Sequence, residues 1–332
     1  MNGFQLSRRQ ALLGTAALAG AGALHIPAPP ALAKAPFATD QAPYFYRFMH
    51  GKMQCTVVSD GILPLGEPSG SFIGVSKDEV GKMLTNNFLG TDNVVLEQNV
   101  LVLNTGDKLV LFDTGMGSST LFGPTTGRLQ QSLKAAGIAP KDIDAIVLTH
   151  AHCDHCWGIM ADDGSRNFPN AQIYMSQADF DYWTDEAKLA IKDPPFMKGF
   201  IEGARKNLLP NRDRLVFFKD GQEFLPGIQA MSAPGHTVGH SVFIITSDGK
   251  TMAAIGDLTH HHVLLLEKPR IEFAFDTDPK QSANSRVKVL DMLAAQRIPL
   301  IAYHFPWPGI GNVAKNGEGF RFYPSQMIMQ KA

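Results

Sequence analysis

The sequence predicts an α+β chain folded as an αββα sandwich, two mixed β-sheets packed face to face with helices outside. Strand-like apolar runs alternate with helical stretches while several neighbouring strands read as hairpins, a combination that favours two mixed sheets over one doubly wound sheet. No glycine-rich phosphate fingerprint follows any strand, which counts against a dinucleotide fold. No internal linker is evident, so residues 34–332 are expected to form one domain.

The front of the chain is set aside first. Ser7-Arg8-Arg9-Gln10-Ala11-Leu12-Leu13 is a twin-arginine pattern, followed by a weakly apolar run to Leu24 and a small-x-small site at Ala31-Leu32-Ala33. The run is too short and too weakly apolar to span a bilayer. Residues 1–33 are therefore expected to be an export signal, with a periplasmic or secreted mature chain from Lys34 and no membrane anchor after processing. Of 332 residues, 44% are apolar and 18% charged, the balance of a globular enzyme rather than a disordered chain. Loss of Arg8 and Arg9 moves the formal net charge from −1 to −3, and no basic run offers a nucleic-acid footprint.

Taken in order, Lys34 to about Tyr46 reads as an extended arm, and Met53–Gly61 as a first strand. Ile62–Gly74, rich in Gly and Pro, reads as loop. Ser76 with Glu79 three residues on caps a short helix through Leu84. Val94–Asn104 and Lys108–Phe112 are strands separated by a Thr-Gly-Asp turn. A helix over Arg128–Ala136 stops at Gly137, and a buried strand over Ile143–Thr149 follows. Later come a strand at Ala171–Met175, helices at Ser176–Ala187 and Phe196–Leu208, and a strand at Leu215–Phe218. Further strands start near Ile228, Val242, Met252 and Leu300, with a helix over Ser282–Gln296 before the last.

The chemistry is concentrated in His150-Ala151-His152-Cys153-Asp154-His155, directly after the Ile143–Thr149 run. In extended backbone, residues two apart point the same way, so His150 and His152 can grip one ion. Asp154 and His155 follow the turn and can face a second. Imidazole with carboxylate suits zinc, or manganese, cobalt or iron. Cys153 and Cys156 have C-x-x-C spacing; they can ligate or pair, but loop packing is the favoured reading. Asp113, ending the second of the early strands, is either a turn former or a partner for a ligand's free ring nitrogen.

His-x-His-x-Asp-His resembles the signature of the metallo-β-lactamase superfamily. The resemblance implies further ligands at later strand ends, and His236 in Pro234–His240, Asp257 after Gly256, and His304 after Tyr303 stand there. It implies one metal on His150, His152 and His236, a second on Asp154, His155 and His304, and Asp257 bridging them. It also favours Asp113, with His240, as supports behind the ligands. Two ions sharing a bridging hydroxide, beside the catalytic carboxylates Asp257 and Asp154, imply hydrolysis of lactones, esters, amides or phosphate esters.

Leu121–Leu129, Pro234–His240, Phe305–Gly311 and Gly317–Phe322 look more closely like the methyl parathion hydrolase and lactonase group. That likeness implies a dinuclear homodimer acting on small lactones, esters or aryl organophosphate triesters, with Phe122, Trp183 and Phe196 lining the substrate pocket. Trp183 is equally open to a core reading. A thioesterase of the same fold, or a metal-binding protein without turnover, is the alternative. His260-His261-His262 stands where such enzymes carry apolar residues; it can place polar groups or an adventitious metal near the pocket, or form a solvated loop, the slightly preferred reading.

Overall fold

The computed structural model describes residues 44–192 and 194–328. The export signal and most of the expected extended arm lie outside these. Along the chain come β1 (Phe45–His50), β2 (Met53–Gly66), β3 (Phe72–Ile73), α1 (Lys77–Asn86), β4 (Val94–Asn104) and β5 (Leu109–Phe112). Next are α2 (Leu129–Ala135), β6 (Ala145–Val147), α3 (Cys153–Cys156), β7 (Gln172–Ser176), α4 (Gln177–Thr184), α5 (Met197–Leu208) and β8 (Leu215–Phe218). The remainder is β9 (Glu223–Leu225), β10 (Ile228–Ser232), β11 (Ser241–Ser247), β12 (Lys250–Ala254), α6 (Leu264–Glu267), β13 (Glu272–Phe273), α7 (Pro279–Gln296), β14 (Leu300–Ile301), β15 (Ile310–Asn316) and β16 (Gly319–Pro324).

One sheet runs β1-β2-β4-β5-β6-β7-β8, antiparallel as far as β5 and parallel beyond. The other runs β16-β15-β14-β12-β11-β10-β9, with β12 and β14 its parallel pair. Alternation along the strands decides which side chains meet. Val110, Phe112, Ala145 and Val147 of the first sheet pack against Phe243, Ile245, Met252 and Ala254 of the second. Their neighbours Leu111 and Ile146 point outward to Leu133 of α2 and Ile201 of α5. On the far side, Val242, Ala253 and Leu300 pack under Val289, Leu290 and Leu293 of α7. The layers are therefore helix, sheet, sheet, helix, as the sequence predicts.

Three readings need correction. The expected loop at Ile62–Gly74 is in good part strand, because β2 continues to Gly66 opposite β4. A register shift between Ser59 and Ile62, with Gly61 at φ +103°, bends the strand without ending it. β1 pairs only as far as Val58, so Pro64 sits where a missing N–H breaks no ladder on that side. The arm also gives way to β1 at Phe45. Helix α7 begins earlier than Ser282, since Asp278 accepts from Gln281 N at 2.9 Å and Pro279 fits the first turn.

Candidate metal centre

Every proposed ligand follows a strand end, so the fold carries them all to one rim of the sandwich. His150, His152, Asp154 and His155 follow β6, the last two on α3; His236 follows β10, Asp257 follows β12 and His304 follows β14. All seven are buried. They fall into two groups with mutually close ligand atoms, His150–His152–His236 and Asp154–His155–Asp257–His304. Asp257 faces both. Its Oδ2 lies 3.2 Å from His236 Nε2 and 3.7 Å from His150 Nε2, and its Oδ1 lies 3.2 Å from His155 Nε2 and 3.3 Å from His304 Nε2.

The imidazoles are turned for ligation by what their other nitrogens do. His155 Nδ1 donates to Asp113 Oδ2 at 2.9 Å, His236 Nδ1 to Asp276 Oδ1 at 2.8 Å, and His304 Nδ1 to the Glu97 carbonyl at 2.8 Å. Thr149 Oγ1 donates to Asp113 and so accepts from His150 Nδ1 at 3.0 Å. Each hydrogen bond fixes the tautomer that leaves a lone pair on Nε2, facing inward. His152 Nε2, His155 Nε2 and Asp257 Oδ1 are buried without any hydrogen-bond partner. Orphaned atoms aimed at one another are costly unless something binds them. Paired imidazole and carboxylate donors around two points fit divalent cations.

The electrostatics agree. Burial alone would raise the Asp154 carboxyl, but His155 and His304 hold it below the ordinary carboxylate range. Burial would depress His236 and His304, yet the carboxylates around each push both up to about 9. A cation-sized positive charge is what this cluster stabilises.

Asp113 and His240 occupy the supporting places expected of them. His240 donates through Nδ1 to the Ala233 carbonyl at 3.1 Å and accepts from Asp257 N at 3.0 Å, holding the central carboxylate by its backbone. Burial pushes its imidazole down to about 3, which keeps it neutral for that role. Gly256 is required beside it: at φ +47° a Cβ would stand 2.9 Å from Thr149 Cγ2. Cys153 and Cys156 are free and buried, which agrees with packing.

The pocket over the centre has a volume of about 340 Å³ including its mouth. Phe122 lines it, as expected. Trp183 does not; it is fully buried behind His152, ring centroids 4.8 Å apart, because α4 packs that face into the core. Phe196 stands one layer out, against Phe200 and Phe275. Sequence reasoning missed the remaining wall, Leu63, Leu65, Leu96, Phe200, Phe273 and Phe275, which lies in segments with no motif.

The triple histidine is also corrected. His260 and His261 are buried rather than solvated. His260 stacks on Phe273 at 3.9 Å, donates through Nε2 to Asp257 Oδ2 at 3.0 Å and lines the pocket. His261 accepts from Val263 N and Leu264 N, starting α6. Asp276 and Tyr303, whose hydroxyl donates to the Asp154 carbonyl at 2.6 Å, were missed as well. Adjacency of Tyr303 to a ligand and of Asp276 to the α7 cap were the signals available.

Known proteins extend the reading. The family model for the metallo-beta-lactamase superfamily matches residues 94–302, which hold all seven ligands but His304. A probable metallo-hydrolase of Mycobacterium tuberculosis is 26% identical over 259 residues, covering 68% of this chain and 79% of its own. AidC, a dizinc quorum-quenching lactonase solved with a product, N-hexanoyl-L-homoserine, matches at TM-score 0.80 and 29% identity over 86% of this chain and 98% of AidC. The hydrolase AbOPH matches at TM-score 0.81 and 29% identity over 87% of this chain and all of its own. On its fold, its matched span and its His–Asp cluster, this chain belongs to the metallo-β-lactamase superfamily.

Proposed function

We propose that this dinuclear metallohydrolase opens neutral lactones, with simple esters as slower substrates. The observation that carries the reading is the Asp257 carboxylate, with one oxygen facing each half of the centre beneath a pocket walled by Leu63, Leu96, Phe122 and Phe273. The two residue groups would hold two divalent ions, which would supply a lowered pKa for water and polarisation of a carbonyl oxygen. The chain's residues do the rest. Asp257 faces both subsites and Asp154 belongs to the second; His240 holds Asp257 through its backbone N–H, and Asp113 holds His155. The wall excludes water and takes an apolar acyl or ring substituent. His260 is a polar group on that wall; with its Nε2–H committed to Asp257, its buried Nδ1 is left as an acceptor without a partner. Among the described residues no lysine or arginine lines the pocket, which disfavours anionic thioester carriers. The solved lactonase AidC supports the same class.

The aromatic side chains Phe122, Phe273 and Phe275 favour a companion activity on aryl organophosphate triesters, whose leaving group could stack there. Specificity constants on one zinc-loaded preparation test both readings. A panel of aliphatic and aromatic lactones should exceed methyl parathion by at least about tenfold in kcat/KM, which is about 1.4 kcal/mol of transition-state preference. A preference for methyl parathion would reverse the order. No turnover of either with two zinc ions bound would overturn the assignment.

A further inference from the structure

Asp179 lies on α4, far in sequence from every ligand, and is fully buried. Its Oδ2 accepts from Ala151 N at 2.7 Å and its Oδ1 from Gly239 N at 2.8 Å. Ala151 stands between His150 and His152, and Gly239 lies in the loop that carries His236. One carboxylate thus clips together the two segments that supply all three histidines of the first subsite. The fit is close. A Cβ on Gly239 would stand 2.5 Å from Ser176 Oγ and 2.9 Å from Asp179 Cβ, so the loop reaches the carboxylate only as glycine. The second subsite is tied by other groups: Asp113 on His155, Tyr303 on the Asp154 carbonyl, and the Glu97 carbonyl on His304.

We propose that Asp179 is a positioning residue for the first metal subsite, setting the distance between the His150–His152 segment and the His236 loop without governing the second subsite. Without it, two buried N–H groups lose their acceptor and the two segments relax apart. This rests on the two-metal reading above, and its test reads zinc rather than turnover so that the two can fail separately.

The full chain is stripped of metal and titrated with zinc against a chromophoric chelator, as wild type and as Asp179→Asn. Asparagine keeps the shape but turns an NH2 toward one of the two N–H groups. His236→Ala and His304→Ala mark the loss of the first and second subsites, in zinc affinity and in the visible spectrum of the cobalt(II) protein. In Asp179→Asn one zinc constant should weaken by about tenfold or more while the other moves less than about threefold, and the cobalt spectrum should match His236→Ala. Gly239→Ala disturbs the same clip with the carboxylate intact and should give the same selective loss. If circular dichroism shows Asp179→Asn unfolded, Gly239→Ala decides. Equal weakening of both constants, no weakening, or a match to His304→Ala overturns the proposal, as does failure of both variants to fold with zinc present. A wild-type chain that binds fewer than two zinc ions would instead sink the two-metal reading.

Discussion

Asp257 is where the centre is most exposed to a single change, because both of its oxygens are committed to different halves. Asp257→Ala should lower kcat/KM at least about a hundredfold and reduce bound zinc, measured by elemental analysis. Unchanged turnover would remove the bridging role. The seven candidate ligands that the structure brings together could be picked out in sequence because His-x-His-x-Asp-His is dense and the resemblance it carries points to the other three, each after an apolar run. Their supports were less so: Asp276 sits in an acidic turn before a helix, and nothing local marks it as the partner of His236. The triple histidine misled for a physical reason, since polarity alone cannot show that His260 has an aromatic face to stack on. Asp60 was silent too, and it carries a pH prediction. Burial lifts its carboxyl to about 7, although Met116 N and Leu129 N donate to it. From about pH 4 to 7 the unfolded chain has lost this proton while the folded chain keeps it, so this group lowers stability as pH rises through that window and adds nothing further above it. Asp60→Asn removes the effect. Its melting temperature relative to wild type should therefore rise from pH 5 to pH 8, in zinc-saturated thermal denaturation; a constant difference would refute the raised pKa.

Among the elements, periodicity and caps carried most of the information. Ser76 and Glu79 announced α1, where Ser76 Oγ accepts from Glu79 N at 3.2 Å. β4 and β8 were legible to the residue, because Val and Leu at close intervals in β4 and the Leu-Val-Phe-Phe run of β8 leave few alternatives. β2 was cut short because Gly61, Pro64 and Gly66 are turn signals on their own, and only the partner strand β4 shows that they bend a strand. The start of α7 was hidden for a similar reason, since Pro279 reads as a breaker unless Asp278 is seen as the cap. Asp278→Ala leaves Gln281 N without its acceptor and should cost about 1 kcal/mol, read as a shift in the chemical denaturation midpoint at unchanged slope. A loss below about 0.3 kcal/mol would mean that packing of Val289, Leu290 and Leu293 under the second sheet fixes the helix start without the cap.

At the scale of the whole molecule, the centre joins the two sheets. The first subsite takes His150 and His152 from the rim of one sheet and His236 from the other; the second takes Asp154 and His155 from one, His304 and Asp257 from the other. Between them the apolar layer ends, and the rim is a set of buried imidazoles and carboxylates with orphaned atoms. Any ion bound there holds the sheets together at the edge where the core no longer does. Ligands that bind the folded chain and not the unfolded one stabilise it by mass action, about 2.7 kcal/mol for each site at a hundredfold excess over its dissociation constant. Chelation should therefore abolish hydrolysis and lower the melting temperature together, and zinc should restore both. Manganese or cobalt should restore the melting temperature to degrees that follow their affinities for nitrogen and oxygen donors, manganese least. Calorimetric scans of the chelated and reloaded chain measure this directly. An unchanged melting temperature after complete zinc removal would show that the apolar layer alone sets the separation of the sheets, and that the ligand rim is held in place before any ion arrives.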